Sequence, residues 1–302
     1  MKNRYFVGLG ASAGGLESLQ KFFKHMPSDT GLTFIVVQHL SPDYDSLMDE
    51  LLARHTSMKI NIAENGMGTE RNNIYLIPPR KNLLIKDKVL YLEDQKPKKN
   101  QINLPIDIFL QSLAKDQKQR AVGIILSGTG SDGTLGIKAI KEYNGMVIVE
   151  NVESAKFDGM PKSSISTGLV DYILKPNEMP KKLIKYVEQS SMGLQISKAS
   201  SDKQVDNLTR ISIILKDYSG VDFSKYKEST MIRRTERRVL ITHSDSLEDY
   251  IKLLRESEKE KETLFRELLI GVTNFFRDSE AFDAIEEKVL PKLDFTKDQI
   301  RI

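Results

Sequence analysis

Two hydrophobic spacings alternate along the first 190 residues. Short runs rich in β-branched and aromatic residues, at 6–9, 34–37, 74–77, 122–126 and 146–149, predict strands. Their near-continuous apolar character predicts cover on both faces. Between them, apolar positions recur at helical spacing over 47–53, 106–114 and 135–143. Leu16, Leu19, Phe22 and Phe23 likewise share one helix face directly after the first strand. The stretch 83–92 differs, because two short apolar runs flank Lys86-Asp87-Lys88, which predicts a hairpin. Alternating strands and helices predict an α/β fold with a doubly wound, mostly parallel sheet and helices on both faces.

Beyond Pro180 the strand signals stop. A helix to about Gln189 gives way to small polar residues, Ser190-Ser191-Met192-Gly193 and then 197–203, which read as a linker. From about Val205 the pattern predicts a small all-helical domain. Ser246 is placed to cap a helix through Leu253, and Asp278 another through Leu290 that Pro291 ends. The final Gln299-Ile300-Arg301-Ile302 reads as the start of a strand.

The chain of 302 residues is long enough for two domains. Its net charge of +3 says little about partners, so local basic clusters carry more weight. With no cysteine there is no disulfide, thiolate nucleophile or cysteine zinc site, and no sign of secretion. Four histidines, His25, His39, His55 and His243, leave little material for a metal, and none is expected. No apolar run is long enough to span a membrane and no signal-peptide pattern opens the chain, so a cytoplasmic location is expected.

Three turns carry candidate chemistry. Gly10-Ala11-Ser12-Ala13-Gly14 fits a nucleophile elbow after the first strand. Gly8, Gly10 and Ala13 also fit a dinucleotide fingerprint, although the second strand ends in Gln38-His39 and offers no carboxylate to a ribose. Ser12 as a plain helix cap is the third reading. His39 follows the second strand, at the end where open α/β sheets bind ligands, and its imidazole is suited to accept a proton near neutral pH. His25 and His55 sit in or beside helical stretches and read as structural. After the strand 122–126, Ser127-Gly128-Thr129-Gly130-Ser131-Asp132-Gly133 again spells a glycine fingerprint, with Glu150 as its distant acidic partner. Asp132 reads either as a helix cap or as the carboxylate that orients His39. Ser12, His39 and Asp132 each follow a predicted parallel strand, which places all three on one edge of the sheet.

These segments, with Gln38-His39-Leu40-Ser41-Pro42, Ile77-Pro78-Pro79 and Phe157, Gly159, Met160 and Pro161, resemble the CheB chemotaxis methylesterase domain over residues 4–190. The resemblance implies a catalytic triad of Ser12, His39 and Asp132. It implies hydrolysis of glutamate methyl esters on the methylated cytoplasmic region of chemoreceptors, deamidation of certain receptor glutamines, and no cofactor. Ala13 stands where the family often has threonine, and Thr129 where it often has methionine.

In the tail, Arg233 with Arg237 and Arg234 with Arg238 share helix faces. A solvated face is the plain reading. Nucleic acid is not expected, since aromatics are not interleaved for stacking. Gly271-Val272-Thr273-Asn274-Phe275-Phe276-Arg277-Asp278 is similar to the N-terminal signature of CheR receptor methyltransferases. That resemblance covers 205–302 and implies an all-α domain over 205–277, after a linker at 191–204, and the start of a truncated catalytic domain at 278–302. It implies receptor contact by Arg233, Arg234, Arg237 and Arg238, and S-adenosylmethionine contact by Thr273 and Arg277 in an intact methyltransferase. No methyl transfer is expected from so short a segment, and association with membranes is expected only through receptors. The whole resembles the front of a CheB–CheR fusion. Two further readings stand beside the esterase: a partner-binding module with an inactive triad, and, more distantly, a nucleotide-binding enzyme. Domain order alone also motivates a tail that covers the active site.

Overall fold

The computed structural model of the protein describes residues 4–38, 47–95, 103–191 and 201–269. The elements of its first part are β1 (Phe6–Ala11), α1 (Gly15–Lys24), β2 (Thr33–Gln38), α2 (Met48–Ala53), β3 (Lys59–Ile62), β4 (Met67–Gly68), β5 (Asn73–Leu76), β6 (Lys81–Lys86) and β7 (Val89–Asp94). There follow α3 (Pro105–Gln117), β8 (Ala121–Ile125), α4 (Thr134–Glu142), β9 (Met146–Glu150), α5 (Gly159–Ser166), β10 (Tyr172–Leu174) and α6 (Met179–Ser191). The tail holds α7 (Ser201–Ser219), α8 (Glu228–Thr242), α9 (Leu247–Glu256) and α10 (Glu258–Leu269).

Seven strands form one sheet in the order β10-β9-β8-β1-β2-β5-β3, with every pair parallel. The five expected strands form its interior. They are covered on both faces, which is why their sequences read as unbroken apolar runs. Alternate residues of β1 divide between two cores. Val7, Leu9 and Ala11 pack with Leu19, Phe22 and Phe23 of α1 and Leu183 of α6. On the other face, Phe6 joins Ile106, Phe109, Leu110 and Leu113 of α3. All these side chains are buried, and each one larger than Ala11 contributes about 1.5–3 kcal/mol relative to exposure.

The edge strands β3 and β10 were not expected. Both are short and half-exposed, so neither carries a continuous apolar run. The hairpin is present as β6 and β7, whose ladder pairs Lys86 with Val89. Asp87 and Lys88 at its tip have φ of 52° and 65°, the left-handed pair of a type I′ turn. The Asp116 carboxylate of α3 offsets the strain of two non-glycine residues there by accepting both their N–H groups, at 2.7 and 3.2 Å. In the tail, Ser246 Oγ accepts the Asp249 N–H at 3.1 Å and caps α9 as expected. The expected linker ends earlier than its composition suggests, since Ser201–Lys203 already belong to α7. Asp278 and the strand-like 299–302 lie outside the described residues. No helix among the described residues is long and apolar enough to cross a membrane.

Candidate active site at the carboxyl edge of the sheet

The strand order reverses between β1 and β8, because the chain runs from β1 toward β2 on one side and reaches β8 on the other. Open parallel sheets bind ligands at such a crevice, beyond the carboxyl ends of the strands. Ser12 follows β1 there. The loop 126–133 follows β8, whose Ile125 pairs with Gly10. On the other flank Ala11 pairs with Gln38, the last residue of β2. His39 comes next in the chain and lies outside the described residues.

Ser12 is 8% exposed and anchored by its backbone. Its N–H donates to Ser127 O at 3.0 Å, and its carbonyl accepts the Gly15 N–H at 2.9 Å. Its backbone carbonyl therefore serves the head of α1. The left-handed turn residue is Gly14, with φ of 73°, and not Ser12. In this respect the turn differs from a strained nucleophile elbow.

Asp132 is buried, and both its oxygens are engaged. Oδ2 accepts from Ile106 N at 3.0 Å, while Oδ1 accepts from Asp107 N at 2.9 Å and Gly133 N at 2.8 Å. Asp132 thus caps a helix, but that helix is α3 rather than the α4 that follows it. This grip fixes the carboxylate rigidly. Asp107 beside it accepts the Gly136 N–H at 2.7 Å, and burial pushes its carboxyl up to about 6.

The two dinucleotide fingerprints dissolve into packing. Gly8 and Gly10 lie inside β1, and a Cβ on Gly8 would stand 2.7 Å from Leu110 and 2.9 Å from Phe109. These glycines let α3 lie close on the sheet. A Cβ on Gly128 would overlap Met160 Sδ and come within 2.8 Å of Ser12 Cβ. Glu150, the one acidic partner, is 1% exposed and takes the Ser127 N–H at 2.8 Å, so it faces no ribose. Among the described residues, no group of three or more His, Asp or Glu side chains could hold a metal ion.

The arginine helix α8 requires a correction. Arg234, Arg237 and Arg238, expected to meet a partner, are 3%, 3% and 6% exposed. Arg234 donates to Lys141 O at 2.8 Å. Arg237 donates to Gly145 O, to Glu267 Oε1 at 2.7 Å and to Asp171. Arg238 grips Glu260 through Nε at 2.8 Å and Nη2 at 2.6 Å. Lys141 bonds Asp171 at 2.8 Å and Glu267 at 2.9 Å. Burial raises the carboxyl of Glu267, but Arg237, Lys141 and Arg238 outweigh it and hold that group well below the usual range. Only Arg233 of the four is exposed. Helical spacing groups Arg234 with Arg238, both buried, but separates in outcome its other pair, Arg233 exposed and Arg237 buried, and it cannot say that the buried face meets the same chain.

This cluster also locates the described tail. Gly145 and Asp171 directly precede β9 and β10, at the amino ends of the strands. Ser12 and the 126–133 loop lie at the carboxyl ends, about 15 Å away along five-residue strands. The described part of the tail therefore docks on the opposite edge from the candidate site and does not cover it. Thr273 and Arg277 lie outside the described residues.

A parallel α/β sheet with a buried serine and a rigidly held aspartate at its switch point is the architecture of a ligand-binding or catalytic domain. The chain belongs to the CheB methylesterase family, whose description matches residues 7–183, and the all-alpha domain of CheR methyltransferases matches residues 206–269. A protein of Rhodobacter capsulatus described as an uncharacterized 104.1 kDa protein is 35% identical over 82% of this chain. A Thermotoga maritima protein-glutamate methylesterase/protein-glutamine glutaminase is 33% identical over 60% of it. The chain spans 28% and 54% of the lengths of these relatives. The crystal structure of the T. maritima CheB methylesterase catalytic domain superposes with a TM-score of 0.55 at 30% identity, covering 60% of this chain and 98% of that one.

Proposed function

We propose that residues 4–190 form a serine hydrolase that removes methyl esters from glutamates of chemoreceptors and deamidates certain receptor glutamines. The observation that carries this is the shared edge: Ser12 and Asp132 follow neighbouring parallel strands at the switch point, and Gln38, in register with Ala11, brings the chain to His39. In this reading His39 takes the Ser12 proton as Oγ bonds to the ester carbonyl carbon. Asp132 orients the imidazole and stabilises its protonated form. Backbone N–H groups at the head of α1 hold the oxyanion, each worth about 3 kcal/mol. The carbon–oxygen bond to the methoxy group breaks, and His39 returns the proton to release methanol. Water, activated by His39, then splits the acyl-enzyme to free the glutamate carboxylate and restore Ser12.

Residues 205–277, which the chain enters through the start of α7 at Ser201, are proposed as the receptor-docking domain. On α8 the arginine exposed for such contact is Arg233. Thr273 and Arg277 would contact S-adenosylmethionine only as part of a complete methyltransferase continuing from 278–302.

Methanol release from methylated receptor fragments tests the proposal. Ser12→Ala should lower kcat by about 10⁶-fold with the melting temperature preserved. Turnover equal to the parent in that variant would leave receptor binding as the function.

A further inference from the structure

We infer that Ser127 is the positioning residue of the candidate nucleophile, tying the Ser12 turn to the segment 151–158 and to the buried Glu150. The inference rests on reading Ser12 as the nucleophile. Ser127 is fully buried and uses each of its polar groups. Its N–H donates to Glu150 Oε2 at 2.8 Å, and its carbonyl accepts the Ser12 N–H at 3.0 Å. Its hydroxyl donates to Ala13 O at 2.9 Å, nearer than the alternative acceptor Phe157 O at 3.3 Å, and accepts the Phe157 N–H at 2.9 Å. Glu150 closes the network through Oε1, which accepts from Ser154 Oγ at 3.3 Å.

The geometry explains why this one hydroxyl matters. β1 ends at Ala11, so Ser12 and Ala13 lie beyond the support of the strand ladder. A peptide unit is planar and trans, so its C=O and N–H point in opposite directions. By holding Ala13 O, Ser127 Oγ fixes the plane of the Ala13–Gly14 peptide and hence the direction of the Gly14 N–H at the head of α1. It also sets the backbone height of Ser12 through the Ser12 N–H. Gly14 permits the approach, since a Cβ there would stand 2.8 Å from Ser127 Oγ and from Lys156 Cβ. Ser127 has no catalytic contact of its own: its Oγ is enclosed and already committed to two backbone partners.

Two variants test this, with methanol release from a methyl-esterified glutamate peptide and the rate of Ser12 labelling by a fluorophosphonate, followed by mass spectrometry. Ser127→Ala removes the hydroxyl bonds. Ser127→Cys, slightly larger, keeps a weakly bonding group at the same branch and decides the matter if the alanine variant does not fold. Misplacement of reacting groups by about 1 Å costs about 100-fold, so kcat and the labelling rate should fall about 10- to 100-fold, with KM within about threefold. A lower melting temperature with kcat and labelling within twofold of the parent would overturn the inference, because that is what packing alone would give. Ser12→Ala runs beside them. If it is dead while a folded Ser127 variant is unimpaired, only the positioning role fails. If it turns over normally, the nucleophile reading fails.

Discussion

Replacing Arg237 with Met should loosen the helical tail from the sheet. The buried ion pairs set Lys141, Arg237 and Arg238 against Asp171, Glu260 and Glu267, with Arg234 buried beside them on Lys141 O. The substitution leaves Asp171 and Glu267 one directly paired cation short and strips Gly145 O of both its guanidinium donors. Breaking a buried pair by deleting one partner costs about 3–5 kcal/mol, since the other charge stays buried. At about 2–4 °C per kcal/mol for a domain of this size, the transition should drop by about 10 °C, or split if the tail undocks first. Calorimetry and limited proteolysis between residues 201 and 268 read the two cases. Arg233→Met, on the exposed side of α8, should stay within about 0.5 kcal/mol of the parent. Adding Glu267→Gln to Arg237→Met restores charge balance and should recover at least half the loss. The sign with pH follows from the depressed carboxyls of Asp171 and Glu267. Their contribution is complete above the unfolded carboxylate range near pH 4 and is lost as pH falls below it, so the gap between parent and variant should close in acid. A transition within about 2 °C of the parent at pH 7, with unchanged proteolysis, would refute the clamp.

Because the clamp lies on the edge opposite Ser12, Arg237→Met assayed well below its melting temperature should hydrolyse ester within about twofold of the parent. Gly128→Ala should cut kcat by 10-fold or more, because its new Cβ pushes on Ser12 Cβ and on Met160; Gly128→Ala with Met160→Ala should recover part of the loss in the same methanol assay. Asp107→Asn should stabilise by about 1 kcal/mol at pH 8, measured by urea unfolding. Burial pushes its carboxyl up to about 6 in the folded chain against about 4 when unfolded, so the charged form costs stability once pH rises through that window; an amide carbonyl still accepts the Gly136 N–H, while loss of acceptance from Leu135 and Gly133 holds the gain to about 1 kcal/mol.

The interior of the sheet was legible because burial on both faces leaves an unmistakable apolar run. The same physics hid β3 and β10, whose solvent-facing residues interrupt any period. Ser12 and Asp132 were legible as residues that follow their strands, since parallel strands deliver their ends to one edge. What each glycine does was not. Gly8 and Gly10 spell a phosphate-binding turn in sequence, yet their missing side chains face α3, which arrives about a hundred residues later.

Sequence by itself determined the layered α/β architecture, the helical tail, the hairpin and the placement of Ser12 and Asp132 after their strands, because each depends on local periodicity or turn chemistry. Only the tertiary structure decided what lies opposite each face. It set Arg237 and Arg238 of α8 against Asp171 and Glu267, gave Asp132 to the head of α3, and made Ser127 the hub behind Ser12. Those pairings join residues 26 to 114 positions apart, and a side chain's period tells which way it faces on its own element but not which distant element meets it.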